Sequence, residues 1–213
     1  MNTNIGEATA DELEELLANE DPDILCDAAC ALGDLIRTKE LSTLSVTCVE
    51  KLALLLGHPS FLVQLEVAIA MAEIQDHRGT PLLLAAIRRK RFRLDALRAL
   101  GTMNDSKASE DLRSWIKRRF APWADKLQAA AALSKMGDPE GQTYLERKLA
   151  SKKAPERAAA IHFLAESNHP SALHYLSTIL RNPQDPMRDV AARSWGLLGN
   201  PEARPLLEQS LLK

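Results

Sequence analysis

A turn motif that recurs at a fixed distance is the strongest constraint on how this chain folds. Asp138-Pro139-Glu140-Gly141, His169-Pro170-Ser171-Ala172 and Asn200-Pro201-Glu202-Ala203 lie 31 residues apart. Each follows an Ala-rich apolar run and precedes another apolar stretch, so a helix end, a turn and a helix start recur together. This period is typical of a solenoid, in which stacked repeats share a continuous core.

The same pattern divides the chain into helical pairs. Only 4% of the residues are aromatic, and Ala and Leu supply most of the apolar surface, which favours packed helices over strands. Proline at the turns supports this division because it ends one helix and is tolerated in the first turn of the next. We predict helices over 10–19, 24–37, 41–56, 61–75, 81–89, 92–102, 106–120, 123–136, 140–151, 156–167, 171–181, 186–198 and 202–212.

The second helix of each pair carries one large apolar residue among small ones. These anchors are Leu32, Met71, Leu100, Leu133, Leu164 and Trp195, with spacings of 39, 29, 33, 31 and 31 residues. The period is therefore loose early and regular late. We predict an all-α protein, a right-handed α-solenoid of about six helical hairpins plus a terminal helix. It forms a single domain over 1–213, with irregular or capping repeats over 1–80 and regular repeats over 81–213.

Two short sequences connect these repeats to a known pattern. Met187-Arg188 precedes Ala191-Ala192, and Gly137-Asp138-Pro139 follows Leu133. They resemble the HEAT-like, armadillo-like repeats first recognised in phycobilin lyases, and the resemblance extends over nearly the whole chain. It implies a helical repeat fold and, because such repeats mostly serve as scaffolds, a binding role. For the base that recurs ahead of the second-helix motif, such as Arg157 and Arg188, it implies a structural role near the turn.

Charge is distributed unevenly along the chain. Residues 1–87 hold 15 acids and 4 bases, residues 88–119 hold 4 acids and 11 bases, and residues 120–213 hold 10 acids and 12 bases, which gives net charges of −11, +7 and +2. Helical periodicity places several early acids on the exposed side of the second helices. We predict an acidic groove that binds another protein, formed by Asp27, Asp34, Glu66, Glu73 and Asp95.

The basic segments lie at two turns between first and second helices. We predict that they form one edge, consisting of Arg88, Arg89, Lys90, Arg91, Lys117, Arg118, Arg119 and Trp123. Bases interleaved with aromatic rings can bind phosphates and stack on nucleobases, so nucleic-acid binding is the alternative function. A solvated edge, with Phe92 and Phe120 in the core, is the structural alternative.

Catalytic residues are harder to identify. None of the five histidines is followed by Glu, so the His-Glu dyads of the iron-binding HEAT-repeat hydroxylases are absent. His162, with Glu166 one turn later and Arg193 in the next repeat, is the candidate for acid–base chemistry. We predict a non-enzymatic scaffold with no cofactor and no metal. A second alternative is an enzyme or lyase subunit with a groove site at His162 and Glu166.

The remaining features concern partners and compartment. Cys26, Cys30 and Cys48 lie in apolar helical patterns, as expected of reduced core thiols in a cytoplasmic protein. The longest uncharged run, 52–65, is interrupted by Gly57-His58-Pro59 and is too short for a membrane span. We therefore expect a cytoplasmic protein that is a monomer or weak homo-oligomer and binds another protein.

Overall fold

The computed structural model describes residues 5, 8–167 and 170–197. Within these residues the chain forms twelve α-helices and no strand. The helices are α1 Ala10–Leu16, α2 Pro22–Arg37, α3 Val46–Leu55, α4 Phe61–Glu73, α5 Thr80–Ala86, α6 Arg93–Met103, α7 Ser109–Lys117, α8 Trp123–Lys135, α9 Pro139–Lys148, α10 Ala154–Glu166, α11 Pro170–Arg181 and α12 Arg188–Leu197. The predicted all-α class and the six helical pairs are confirmed. The predicted terminal helix over 202–212 lies outside the described residues.

The recurrent turn motif works through helix capping. At Asp138 the side chain accepts a hydrogen bond from the Glu140 amide at 2.9 Å, and Pro139 begins α9. Gly137 precedes it with a φ of +75°, a left-handed conformation that glycine adopts without a steric penalty. Asp21 caps α2 in the same way, ahead of Pro22. At each of these two turns, an Asp side chain caps the following helix and the Pro after it begins that helix. The copy at Asn200 lies outside the described residues.

Several helices are shorter than predicted. Helix α7 ends at Lys117 rather than at residue 120, and α5 ends at Ala86 rather than at residue 89. Pro122 disfavours helical backbone in Ala121, so α7 could not continue past that residue, and the chain already leaves it after Lys117. Both basic segments consequently lie mostly in turns.

By its internal contacts the chain divides into two compact units, unit 1 (Met1–Ala108) and unit 2 (Ser109–Lys213). In unit 1 the second helices α2, α4 and α6 pack side by side, α2 against α4 and α4 against α6. Their anchors Leu32, Met71 and Leu100 are fully buried. Small residues allow this packing, since a Cβ on Gly33 would lie 3.2 Å from the Ala70 Cα.

In unit 2 the second helices α8, α10 and α12 pack in the same order, and their anchors Leu133, Leu164 and Trp195 are buried. Helix α9 lies close against α8 at Gly141, where an added Cβ would lie 2.5 Å from the Leu133 Cβ. The six anchors therefore mark the core in both units. The prediction of a single domain over 1–213 stays a prediction.

The recurrent base of the repeats joins neighbouring segments in unit 2. Arg157 donates to Asp185 at 2.5 Å, in the turn of the following pair, and Arg188 donates through Nε to the Leu180 carbonyl oxygen at 3.2 Å. These contacts agree with a structural role near the turns.

Candidate functional site

A charged cavity of about 380 Å³ lies on the exposed side of the second helices of unit 1. Four of the five predicted groove acids line it, and Asp27 is exposed nearby without lining it. Helices α2, α4 and α6 supply the wall because residues one turn apart on each helix point to the same side. The lining residues are Cys30, Gly33, Asp34, Arg37, Glu66, Ile69, Ala70, Glu73, Asp95 and Arg98.

Two of the four acids in this cavity have cationic partners. Arg37 pairs with Asp34, and Arg98 Nη1 lies 3.2 Å from Glu73 Oε1. Among the described residues, neither Glu66 nor Asp95 forms an ion pair. Burial and the negative charge of Asp95 raise the pKa of Glu66, although Arg98 opposes this rise. The cavity therefore holds more negative charge than its own cations neutralise.

The prediction that all three cysteines are core thiols is wrong for Cys30. Cys26 and Cys48 are buried, whereas Cys30 is exposed and lines the cavity. Partial desolvation inside the cavity, with a further contribution from the charge of Asp34, raises the pKa of the Cys30 thiol. Because the thiolate is the nucleophilic form, Cys30 is poorly suited to nucleophilic catalysis at neutral pH.

In unit 2 the exposed side of the second helices carries a row of three polar side chains. His162 Nε2 lies 3.4 Å from Glu166 Oε1 on α10, and Lys135 Nζ on α8 lies 3.6 Å from Glu166 Oε2. The hydrogen bond to Glu166 raises the pKa of His162, and His162 and Lys135 together lower the pKa of Glu166. These partners favour an imidazolium–carboxylate pair.

Arg193, predicted to join this pair, bonds within its own helix instead. Its Nε donates to the Asp189 carbonyl oxygen at 3.3 Å. The acid–base candidate therefore consists of His162 and Glu166, with Lys135 rather than Arg193 as the third member. Lys135 is one turn beyond Ala131 on α8, which gives it the repeat position that Glu166 occupies on α10.

The first predicted basic segment lies between α5 and α6 of unit 1. Arg88, Arg89, Lys90 and Arg91 are all exposed. The guanidinium carbon of Arg89 lies 3.5 Å from the centroid of the Phe61 ring, and that of Arg91 lies 5.3 Å from the Phe92 ring. These are cation–π contacts, so part of this segment packs on aromatic rings rather than extending into solvent.

The second basic segment follows α7 in unit 2. Arg118 lies over the buried Trp115 at 3.9 Å, and Lys117 pairs with Glu140 at 2.9 Å. Phe120 is 89% exposed, so its assignment to the core is wrong, and Trp123 is 39% exposed. Phe120 leaves the core because it follows the early end of α7. That the two basic segments form one edge stays a prediction.

The sequence did not identify two further cavities, of about 540 and 420 Å³, which adjoin in unit 2. Both are lined by Ile116 of α7 and by Tyr144 and Arg147 of α9. They were missed because they lie between first helices, where the repeat pattern places no distinctive residue. Neither His162 nor Glu166 lines either cavity or the cavity of unit 1.

The described part of the chain has no group of three or more His, Cys, Asp or Glu side chains that could hold a metal ion. No helix in the same ranges has the length and apolar character needed to cross a bilayer.

Comparison with known proteins connects this geometry to solved folds. No protein-family model matches the chain, and no curated protein matches it. Among solved structures, the complex of CpcE and CpcF of phycocyanin lyase from Nostoc sp. PCC7120 is similar, with a TM-score of 0.59, 17% identity, and coverage of 97% of this chain and 83% of that one.

Two more distant structures are human deoxyhypusine hydroxylase in complex with glycerol and an engineered protein. The hydroxylase has a TM-score of 0.36 at 17% identity, and covers 94% of this chain and 88% of its own. The engineered protein has a TM-score of 0.46 at 19% identity, with coverage of 94% and 61%.

The similarity to the lyase complex establishes that the chain has the HEAT-like helical repeat fold. It also overturns the prediction that the chain is not an enzyme. That prediction was based on the lack of a recognisable catalytic motif, yet the same fold occurs in a lyase complex. The fold is thus shared with an enzyme built from two different HEAT-like chains.

Proposed function

We propose that this chain is a subunit of a lyase-type enzyme and acts in complex with a second protein. The observation that carries the proposal is the His162–Glu166 pair, a partly exposed acid–base pair on α10, a second helix of unit 2. The fold supports it, because a lyase complex of two subunits matches 97% of the chain. The phycobilin-lyase type of HEAT repeat is the family that this proposal favours.

The pair is suited to moving one proton. Glu166 accepts from the Nε2 side of His162 and stabilises the imidazolium, so Nδ1 is left to donate a proton to a substrate. A lyase forms or breaks a bond by addition or elimination, and protonation at the reacting atom assists either direction. Lys135 holds the second oxygen of Glu166 and keeps that carboxylate charged. Glu166 and Lys135 therefore act as positioning residues.

The partner subunit binds, in this proposal, at the acidic cavity of unit 1. Glu66 and Asp95 have no ion-pair partner among the described residues, and the pKa of Glu66 is raised by burial and by Asp95. A lysine or arginine of the partner would pair with both carboxylates and lower the pKa of Glu66 again, because a nearby cation favours the charged form. The groove formed by Asp27, Asp34, Glu66, Glu73 and Asp95 is accordingly a docking site for a basic segment.

The test combines purification with an activity measurement. The chain is purified together with its native partner, and lyase activity is measured with phycocyanin as the first substrate. A general acid contributes about 10²- to 10⁴-fold to a rate, so His162→Gln should lower kcat about 100-fold or more. His174→Gln is the matched control, since His174 is also exposed in unit 2 but pairs with no carboxylate among the described residues. Equal activity of the two variants, or no lyase activity in the complex, would reject the proposal.

Nucleic-acid binding is the second candidate function, favoured by the exposure of Phe120 beside Arg118 and Arg119. An exposed ring among bases is a platform on which a nucleobase can stack. A single-stranded 20-nucleotide probe should bind with an affinity that falls steeply as salt rises. Arg118→Glu with Arg119→Glu should abolish this binding, whereas Lys152→Glu with Arg181→Glu should lower it less. The same loss in both pairs would indicate general charge attraction only.

A further inference from the structure

The adjoining cavities of unit 2 have an apolar floor and a basic rim. Ile116, Pro139 and the ring of Tyr144 form apolar surface in the 540 Å³ cavity, and Tyr144 is 7% exposed. Lys126, Arg147 and Lys148 line the 420 Å³ cavity beside the same ring. Volumes of about 300–1,000 Å³ are typical of sites for small molecules. The two cavities together therefore offer space for a flat body with a polar end.

The charges on this rim do not cancel. Lys117 is neutralised by Glu140 at 2.9 Å, and Lys148 by Glu156 at 2.8 Å. Lys126 and Arg147 remain, and neither forms an ion pair with a carboxylate in the described part of the chain. Both line the 420 Å³ cavity, so two positive charges without a carboxylate partner lie around one concave surface.

Arg147 is held close to the floor by the Tyr144 ring. Its guanidinium carbon lies 5.0 Å from the ring centroid, and Lys148 Nζ lies 5.7 Å from it. A guanidinium packed near a ring keeps its N–H groups available for two parallel hydrogen bonds to a carboxylate or a phosphate. The ring contact restricts the Arg147 side chain before any ligand binds, which lowers the entropy cost of binding.

We propose that these cavities bind a small molecule with a flat apolar body and an anionic oxygen group, a carboxylate or a phosphate. The anion lies between Arg147 and Lys126, and the body rests on Tyr144 and Ile116. The proposal does not depend on the enzymatic role of His162, because neither His162 nor Glu166 lines either of these cavities. An acidic protein segment is the competing occupant, but a flexible chain gains little from a floor shaped by one ring and two aliphatic side chains.

The experiment uses the full chain and four small probes: benzoate, phenyl phosphate, benzyl alcohol and a hexaglutamate peptide. Binding is followed by amide chemical shifts in NMR spectra, with attention to Thr143, Tyr144 and Arg147. Benzoate or phenyl phosphate should saturate shifts of these residues, and benzyl alcohol should bind at least tenfold more weakly. Saturation by benzoate alone identifies a carboxylate ligand, and saturation by phenyl phosphate alone identifies a phosphate ligand.

The variant Arg147→Gln with Lys126→Gln should lower the affinity for the anionic probe at least tenfold. The matched control, Lys152→Gln with Arg181→Gln, removes the same two charges from exposed positions of unit 2 outside both cavities and should change affinity less than twofold. If the variant with both Arg147→Gln and Lys126→Gln fails to fold, Arg147→Gln alone is compared with the control instead, because Arg147 is exposed. Equal losses in cavity and control variants, absence of saturation, or tighter binding of hexaglutamate than of either aromatic anion would each overturn the proposal.

Discussion

Glu66 and Glu166 lie on second helices of different units, and their electrostatic surroundings are opposite. Each lies on the exposed side of a second helix, in α4 and α10 respectively. Burial and the neighbouring Asp95 raise the pKa of Glu66. The hydrogen bond with His162, supported by Lys135, lowers the pKa of Glu166. The groups around each carboxylate, rather than its place on a second helix, therefore decide what it can do.

This difference assigns separate roles to the two units. A carboxylate without a partner is a place where a ligand's cation gains binding energy, because it relieves an existing repulsion. A carboxylate that is already hydrogen-bonded to a histidine has its partner, and its role is to orient that histidine. Unit 1 is accordingly the binding half in our proposal, and unit 2 contributes the acid–base pair.

The largest expected effect concerns packing and compares two glycines, one in each unit. In Gly141→Ala the new Cβ would lie 2.5 Å from the Leu133 Cβ and 2.6 Å from the Ala130 carbonyl oxygen, so α8 and α9 must separate. We expect a loss of about 2–3 kcal/mol in the free energy of unfolding and a Tm lower by about 4–12 °C. Thermal unfolding followed by circular dichroism measures it.

Gly33→Ala is the matched substitution in unit 1. Its Cβ would lie 3.2 Å from the Ala70 Cα, and the gain in helix propensity of about 1 kcal/mol offsets the smaller displacement. We expect a change within about 1 kcal/mol. Equal destabilisation by both substitutions would show that the closer approach of α9 to α8 is not a distinguishing feature of unit 2.

These glycines also show how far the sequence predicts the fold. The 31-residue period and the six anchors predicted the helical pairs, because burying one large residue among small ones on each second helix is a local requirement. The sequence could not predict how closely α9 approaches α8 at Gly141, because that distance depends on how the turn at Asp138 directs α9 against α8. The end of α7 at Lys117 was not predicted either, because it comes before Ala121, the residue that Pro122 restricts.

The candidate site was predictable only in part. Periodicity placed Asp34, Glu66, Glu73 and Asp95 together, and the structure brings them into one cavity. Periodicity could not predict which of these four acids form ion pairs. Arg98, 25 residues later in the sequence, pairs with Glu73 and leaves Glu66 without an ion-pair partner in the described chain. The cavity at Tyr144 was missed because Ile116 and Arg147 belong to first helices that the repeat comparison did not align.

The second prediction reverses charge in the cavity of unit 1. Glu66→Lys with Asp95→Lys should weaken the native complex with the partner about 10- to 100-fold, because repulsion replaces attraction for a basic segment. Glu15→Lys with Glu20→Lys changes the same total charge at exposed positions of unit 1 outside the cavity. Biolayer interferometry should show an effect of less than about threefold for this control, allowing for long-range steering. Equal weakening in both would mean that net charge, rather than the cavity, attracts the partner.

The third prediction concerns stability and pH in unit 1. A raised pKa in the folded state means that Glu66 favours folding at pH values below the pKa of the unfolded chain, and that this contribution is lost as pH rises through the folded-state pKa. Glu66→Gln should therefore raise Tm at pH 7 by roughly 1–3 °C, with the difference disappearing near pH 4. A Tm that falls at pH 7 would show that the cavity already neutralises Glu66.

The last prediction is the counterpart in unit 2 and involves the smallest change in stability. Glu166 has a lowered pKa, so its contribution is present above the unfolded pKa and is lost as pH falls through the folded value. His162 has a raised pKa, so its contribution is present below the unfolded pKa and is lost as pH rises through the folded value. In Glu166→Gln the pKa of His162 should fall toward its ordinary value, and Lys135→Gln should instead raise it by removing a repelling charge. Titration of the His162 ring by NMR distinguishes these opposite shifts. If neither substitution moves the His162 titration, the histidine is not coupled to Glu166, and the contrast between the carboxylates of the two units fails.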